Sequence, residues 1–146
     1  MHILGLTTAF SQHIKTTNKF KVEFLSGKPE WDTIWSEPKR LDKYDMFFEL
    51  NLPQKEIIET TKFIKDGKTK NWITKYKILG HTEIKKTDGY LMYKFVVSDK
   101  TNRRSFFTYT VENTRITFTI EGIDREAENV PFFDSKYFVS EVYLFE

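Results

Sequence analysis

Phe106-Phe107-Thr108-Tyr109-Thr110-Val111, the turn Glu112-Asn113-Thr114, and Arg115-Ile116-Thr117-Phe118-Thr119-Ile120 together decide the fold. Both arms alternate apolar and hydroxyl side chains with a period of two, which is the pattern of a half-buried β-strand. Phe107, Tyr109 and Val111 share one face of the first arm, and Ile116, Phe118 and Ile120 one face of the second. Thr108, Thr110, Thr117 and Thr119 fall on the other face, expected to meet solvent as in antiparallel sheets with one wet side. Slipping the pairing by one residue would bury threonines and expose phenylalanines, so the register of this hairpin is pinned.

The same period extends in both directions. Residues 90–97 place Leu91, Tyr93, Phe95 and Val97 on one side, and Thr87-Asp88-Gly89 before them supplies the positive φ of a tight hairpin turn. Residues 72–79 read as the partner strand, with Gly80 allowing a bend or bulge before 82–86. Residues 54–65 are open to helix or strand. The β-branched Ile57, Ile58, Thr60 and Thr61 favour strand, and Asp66-Gly67 is the turn after it. Met46, Phe48, Leu50 and Leu52 form the inward side of 45–52, and Phe20, Val22 and Phe24 that of 19–25, which Ser26-Gly27-Lys28-Pro29 breaks. Residues 30–40 read as a loop with at most one helical turn, stopped by Pro38. Downstream, residues 122–134 are charged and irregular. Residues 137–145 form a last strand, apolar on both faces, expected to be covered on both sides or to close a sheet. Eight or nine short strands joined by tight turns predict an all-β fold: a single antiparallel meander closed into a small lipocalin- or calycin-like barrel, or a two-sheet β-sandwich.

Composition agrees. The aromatic share is 16%, with 14 Phe and 7 Tyr, residues that pack well on pleated surfaces. Alanine, the best helix former, occurs only at Ala9 and Ala127. The 146 residues fit one domain with a core large enough to need no disulfide. With no cysteine, disulfides, thiol nucleophiles and thiolate metal sites are excluded. A net charge of +2 is too even to predict a nucleic-acid partner. No segment approaches the ~20 apolar residues of a membrane-spanning helix.

Residues 1–12 admit two readings. Their apolar and small character, ending in Ala9-Phe10-Ser11-Gln12, fits the remnant of a secretory signal peptide cleaved before Gln12, leaving 13–146 as one β domain. The alternative is a first strand over 3–10. The signal-peptide reading carries the expectation that the protein is exported, to the periplasm or outside the cell.

A set of local features spans most of the chain: Trp31 and Trp35-Ser36 followed by Lys39; the strand over 46–52; Tyr76-Lys77-Ile78-Leu79; Thr87-Asp88-Gly89 leading into 90–97; Ser98-Asp99-Lys100 with Arg103; and Val142-Tyr143-Leu144. In this layout the chain loosely resembles a group of small exported proteins of unknown function from the Bacteroidetes. The resemblance implies export and a small β fold, and it implies no activity.

Side chains able to do chemistry are sparse. His2, His13 and His81 have no ligand spacing between them, so no metal and no cofactor is expected. His81, after Gly80, is most simply a bend residue. No nucleophile elbow, phosphate loop or dinucleotide fingerprint occurs. Glu141 stands where an apolar residue is expected, on the face of Val139 and Tyr143. It is either a carboxylate in a cavity or an acid reaching water at a strand end. Residues 103–109 mix arginine with aromatics but lack the glycines of an RNA-reading strand. Lys65, Lys68, Lys70, Lys75 and Lys77 read as a solvated turn and a lysine-protected strand edge. Trp31, Trp35 and Trp72 either plug the core or offer rings to a sugar. The expected ligand-binding set is therefore Trp31, Trp35, Trp72, His81 and Glu141. The expected function is a non-catalytic binding module for a small apolar ligand or a sugar. The alternatives are an enzyme using a buried carboxylate or His81 in the same cavity, and a structural or protein-interaction domain. A roomy apolar interior would favour the first, and a solid core with an exposed apolar patch the last.

Overall fold

A computed structural model describes residues 19–29, 33–123 and 133–142, with the Phe133 side chain left out. The expectations for residues 1–12, His2, His13, Trp31 and the end of the last strand lie outside the described residues.

Among the described residues nine strands follow one another: β1 (Lys19–Pro29), β2 (Lys39–Arg40), β3 (Asp45–Asn51), β4 (Glu56–Lys65), β5 (Lys68–Thr87), β6 (Tyr90–Ser98), β7 (Arg104–Glu112), β8 (Arg115–Gly122) and β9 (Phe133–Val142). All pairings are antiparallel and belong to one sheet. From β3 to β9 each strand pairs with the next, and β1 pairs with both β3 and β9, so the strands join in a ring. β9 takes the closing place that its two apolar faces suggested. β2 is a two-residue addition beside Phe24 and Leu25 of β1. No helix occurs among the described residues, so the helical turn allowed in 30–40 is absent from its described portion.

The deciding hairpin forms in the expected register, with Phe107 opposite Ile120, Tyr109 opposite Phe118 and Val111 opposite Ile116. Its inner face meets Phe20, Phe48 and Tyr93 in one hydrophobic core. Phe118 sits at the centre, its ring 5.0 Å from Phe20, 5.2 Å from Phe107, 5.3 Å from Phe48 and 5.4 Å from Tyr109. Edge-on and tilted ring contacts of this kind add to the gain from burial alone.

Four details differ from the sequence reading. Thr117, expected in solvent, is only 8% exposed. It lies on the outer face between Thr110 and Phe138, and the Arg115 guanidinium stacks 5.6 Å from the Phe138 ring. Phe24 leaves the inner face, because the β1–β9 register shifts between Val22 and Phe24 and Leu25 takes the inward place. Residues 26–29 do not end β1, since their pairing with β9 runs on to Pro29 opposite Phe133. The segments 72–79 and 82–86 are one continuous strand with register shifts between Ile78 and Gly80 and between His81 and Glu83. The expected bulge is present, but Gly80 has no positive φ and a Cβ there would meet nothing within 4 Å.

Candidate binding site at the β5 crossing

β5 is where the ring is thinnest. Residues 68–76 pair with β4 alone, Lys77 pairs with both Glu56 of β4 and Ser98 of β6, and from Ile78 onward the pairing is with β6 alone. The ring is thus carried across β5 by a single shared residue. The amide of Ile78 adds a 2.8 Å hydrogen bond to the carbonyl of Lys55.

Two tight turns flank this crossing. In the β3–β4 turn the Lys55 amide donates to the Leu52 carbonyl at 3.0 Å, and Asn51 Oδ1 accepts from the Gln54 amide at 3.2 Å. In the β6–β7 turn Asp99 Oδ1 accepts from Thr101 Oγ1 at 2.6 Å, the Thr101 amide at 2.9 Å and the Arg103 amide at 3.0 Å. Burial pushes the Asp99 carboxyl up, but these bonds and the Arg103 charge outweigh it and hold the group below its ordinary value. Each turn carries a non-glycine residue in the left-handed region, Lys55 at φ 54° and Asn102 at φ 62°. Asparagine tolerates this conformation; lysine adopts it at a cost that the surrounding hydrogen bonds must offset.

Between the turns lies an open groove of about 480 Å³. Lys55, Lys75, Lys77 and Lys100 stand around it with Glu56 and Asp99, and Tyr76, Gln54, Ser98 and Asn102 complete the lining. Four lysines and two acidic residues therefore share the lining. One of the acids, Asp99, is occupied by its own turn, and the other, Glu56, has Oε1 4.0 Å from Lys75 Nζ.

Behind the groove, Tyr76 reaches inward. Its hydroxyl bonds to Glu59, and burial together with the Glu59 charge keeps the phenol proton on. Burial also pushes the Glu59 carboxyl from 4.5 up to about 7, against the opposing effect of the Tyr76 hydrogen bond. Tyr137 shares this environment, its proton retained by burial and the Glu59 charge. Glu59 is absent from the groove lining. It is hidden in the sequence because Ile57 and Ile58 are both apolar, so alternation alone does not say which face of β4 is inward. Its place opposite Phe48, between Ile57 and Thr61, is the signal that it points inward.

Of the five residues expected to bind ligand, four are described, and none of those four lines the groove. Trp31 lies outside the described residues. Trp35 is half-buried under the ammonium groups of Lys28 and Lys136, 5.1 and 5.6 Å from its ring. Trp72 is 67% exposed on the β4–β5 hairpin. His81 is exposed on β5 between the two register shifts, opposite Phe95. Glu141 is half-buried opposite Phe20, and its charge helps burial to retain the Tyr109 proton. Along β9, Glu141 and the Lys136 that covers Trp35 are five residues apart, roughly 17 Å at ~3.4 Å per residue.

A second buried polar group also escaped the sequence reading. Asp134 is fully buried at the start of β9, bonded to Lys28 Nζ at 2.9 Å and to the Gly122 amide at 3.2 Å. It fastens the ends of β1, β8 and β9 together. Among the described residues no three His, Asp or Glu side chains are grouped as a metal site requires, and no helix is long and apolar enough to cross a membrane. Comparison with protein-family models, curated proteins and solved structures finds no match.

Proposed function

We propose that the protein is a non-catalytic binding module: a small barrel of the lipocalin kind whose ligand sits in the groove at the β5 crossing. The ligand class is a small molecule bearing carboxylate or phosphate groups, such as an acidic sugar. The observation that carries this reading is the gathering of Lys55, Lys75, Lys77 and Lys100 around one groove, with Lys55 held in a left-handed conformation at its rim. Strained residues concentrate where a surface must present a group in one direction. The barrel form is favoured over a sandwich by pairing that passes from strand to strand around to β1. An external ligand is favoured over an apolar one inside because aromatic rings in mutual contact occupy the inner face.

A catalytic reading finds less support at this site. Glu59, the carboxyl titrating near neutrality, is not among the lining residues, so no poised base faces a bound molecule.

The test is a titration of the labelled protein with glucose 6-phosphate, citrate and neutral glucose, followed by amide chemical shifts. The two anions should move residues 54–56, 75–77 and 98–102, and Lys100→Ala should weaken both. Equal response to neutral glucose, or shifts confined to other regions, would overturn the reading.

A further inference from the structure

We propose that the open edge of β5 over residues 68–76 docks an extended acidic peptide as an added strand. This surface adjoins the groove, meeting it at Lys75 and Tyr76, and does not depend on the small-ligand reading.

The geometry begins at the β4–β5 turn. Asp66 and Gly67 both have positive φ, 54° and 73°, which makes a two-residue turn that closes on Lys65 and Lys68. In such a hairpin the closing pair is hydrogen-bonded and the bonds then alternate. Lys70, Trp72 and Thr74 thus bond toward β4. Thr69, Asn71, Ile73 and Lys75 turn their amides and carbonyls the other way, where no described strand lies. β6, which would occupy that side, stops at Lys77. Seven residues of strand therefore present alternate donors and acceptors to an incoming chain, the arrangement that peptide recognition by strand addition uses.

The side chains select the occupant. Lys65, Lys68 and Lys70 are exposed, and none lies within ion-pair distance of a carboxylate among the described residues. Lysines along an edge repel a second copy of the same edge, so self-pairing is disfavoured. They attract a segment carrying Glu or Asp at alternate positions, since opposite charges on paired strands are favourable neighbours. The hairpin also leaves large apolar side chains in water: Ile64 at 78%, Trp72 at 67% and Ile73 at 56%. Trp72 and Ile73 point to opposite faces of β5, so an added strand meets an apolar footing on either side. The partner is thus an extended chain of about seven residues, acidic with interspersed apolar positions.

The probe is a labelled, end-capped heptapeptide alternating Glu and Val, added to the full chain and followed by fluorescence anisotropy and amide hydrogen exchange. Binding should bring new protection to the amides of 69, 71, 73 and 75. Lys70→Glu should weaken it, and Lys100→Ala, a groove variant, should leave it unchanged. N-methylating one alternate set of peptide amides should reduce affinity ~10-fold or more, and methylating the other set should not, because only one set faces the edge. This comparison needs no change in the protein. Absence of binding, equal binding of a Lys/Val heptapeptide, indifference to both methylation patterns, or dimerisation of the chain through this edge would overturn the proposal.

Discussion

Phe118 touches four other rings and is 0% exposed, whereas Thr117 one position away has only the outer face around it. Truncating a buried phenylalanine costs ~3–5 kcal/mol, a large share of the ~5–15 kcal/mol that holds a domain folded. Phe118→Ala should therefore unfold the protein or bring its urea midpoint close to zero. Thr117 is more buried than its alternation suggested, so Thr117→Ala should cost about 1 kcal/mol rather than nothing. Similar midpoints for the two variants would mean that the faces are wrongly assigned. Glu59 makes a second prediction. Its carboxyl is raised in the folded state, so the fold binds a proton there more tightly than the unfolded chain does. The resulting stability is fully present below about pH 4.5 and is lost as pH rises through about 7, with an upper bound of about 3 kcal/mol. Glu59→Gln keeps an acceptor for Tyr76 and removes the titration. The wild-type protein should lose stability between pH 5 and pH 8 relative to this variant, measured by urea unfolding at both values. Parallel pH profiles would show that Glu59 carries its charge in water.

Most strands were legible because they bury one face, and alternation records which. Phe20, Phe48, Phe107 and Phe118 could all be placed inward from the sequence, as could the hairpin turns at Asp66-Gly67 and Asp88-Gly89. Illegible were the features set by partners far along the chain. The bulge that expels Phe24 arises in pairing with β9, and the Lys28–Asp134 bond spans 106 positions. The groove is a product of how β4 and β6 are staggered on β5, so no local pattern marks Lys55 or Lys100 as neighbours. Turns allow a direct test of the local physics. Gly67 and Gly89 share φ 73°, but a Cβ at Gly67 would meet nothing within 4 Å, while at Gly89 it would lie 2.8 Å from Asn113 Oδ1. Asn113 is tied there by its amide, which donates to the Gly89 carbonyl at 2.7 Å. Gly67→Ala should cost only the left-handed conformation, ~1–2 kcal/mol. Gly89→Ala should cost that and the displacement of Asn113 as well. Thermal unfolding of the two variants gives the order, and an equal loss would mean that the two hairpin tips do not touch.

At the scale of the whole molecule, stability should be uneven because pairing is uneven. β7 has a partner along both edges and sends Phe107 and Tyr109 into the core, so its amides open only when the molecule unfolds. The far end of the β4–β5 hairpin has neither support. β3 stops pairing with β4 at Lys62, and residues 68–76 of β5 have one neighbour. Beyond that point every residue from Ile64 to Ile73 is exposed, so opening this segment releases almost no apolar area. Its persistence rests on hairpin hydrogen bonds and one tight turn, which in isolation are marginal in water. Glu56, Lys77 and Ser98 are the point at which that motion must stop, because there β5 is held on both sides. Native-state hydrogen exchange should therefore show the amides of 63–71 opening at a small fraction of the global free energy, with little dependence on denaturant. Those of 105–111 and 116–120 should follow global unfolding, and residue 77 should fall with the second group. If 63–71 exchanged as slowly as β7, the hairpin would be covered by another part of the chain. Its edge would then be closed to any partner.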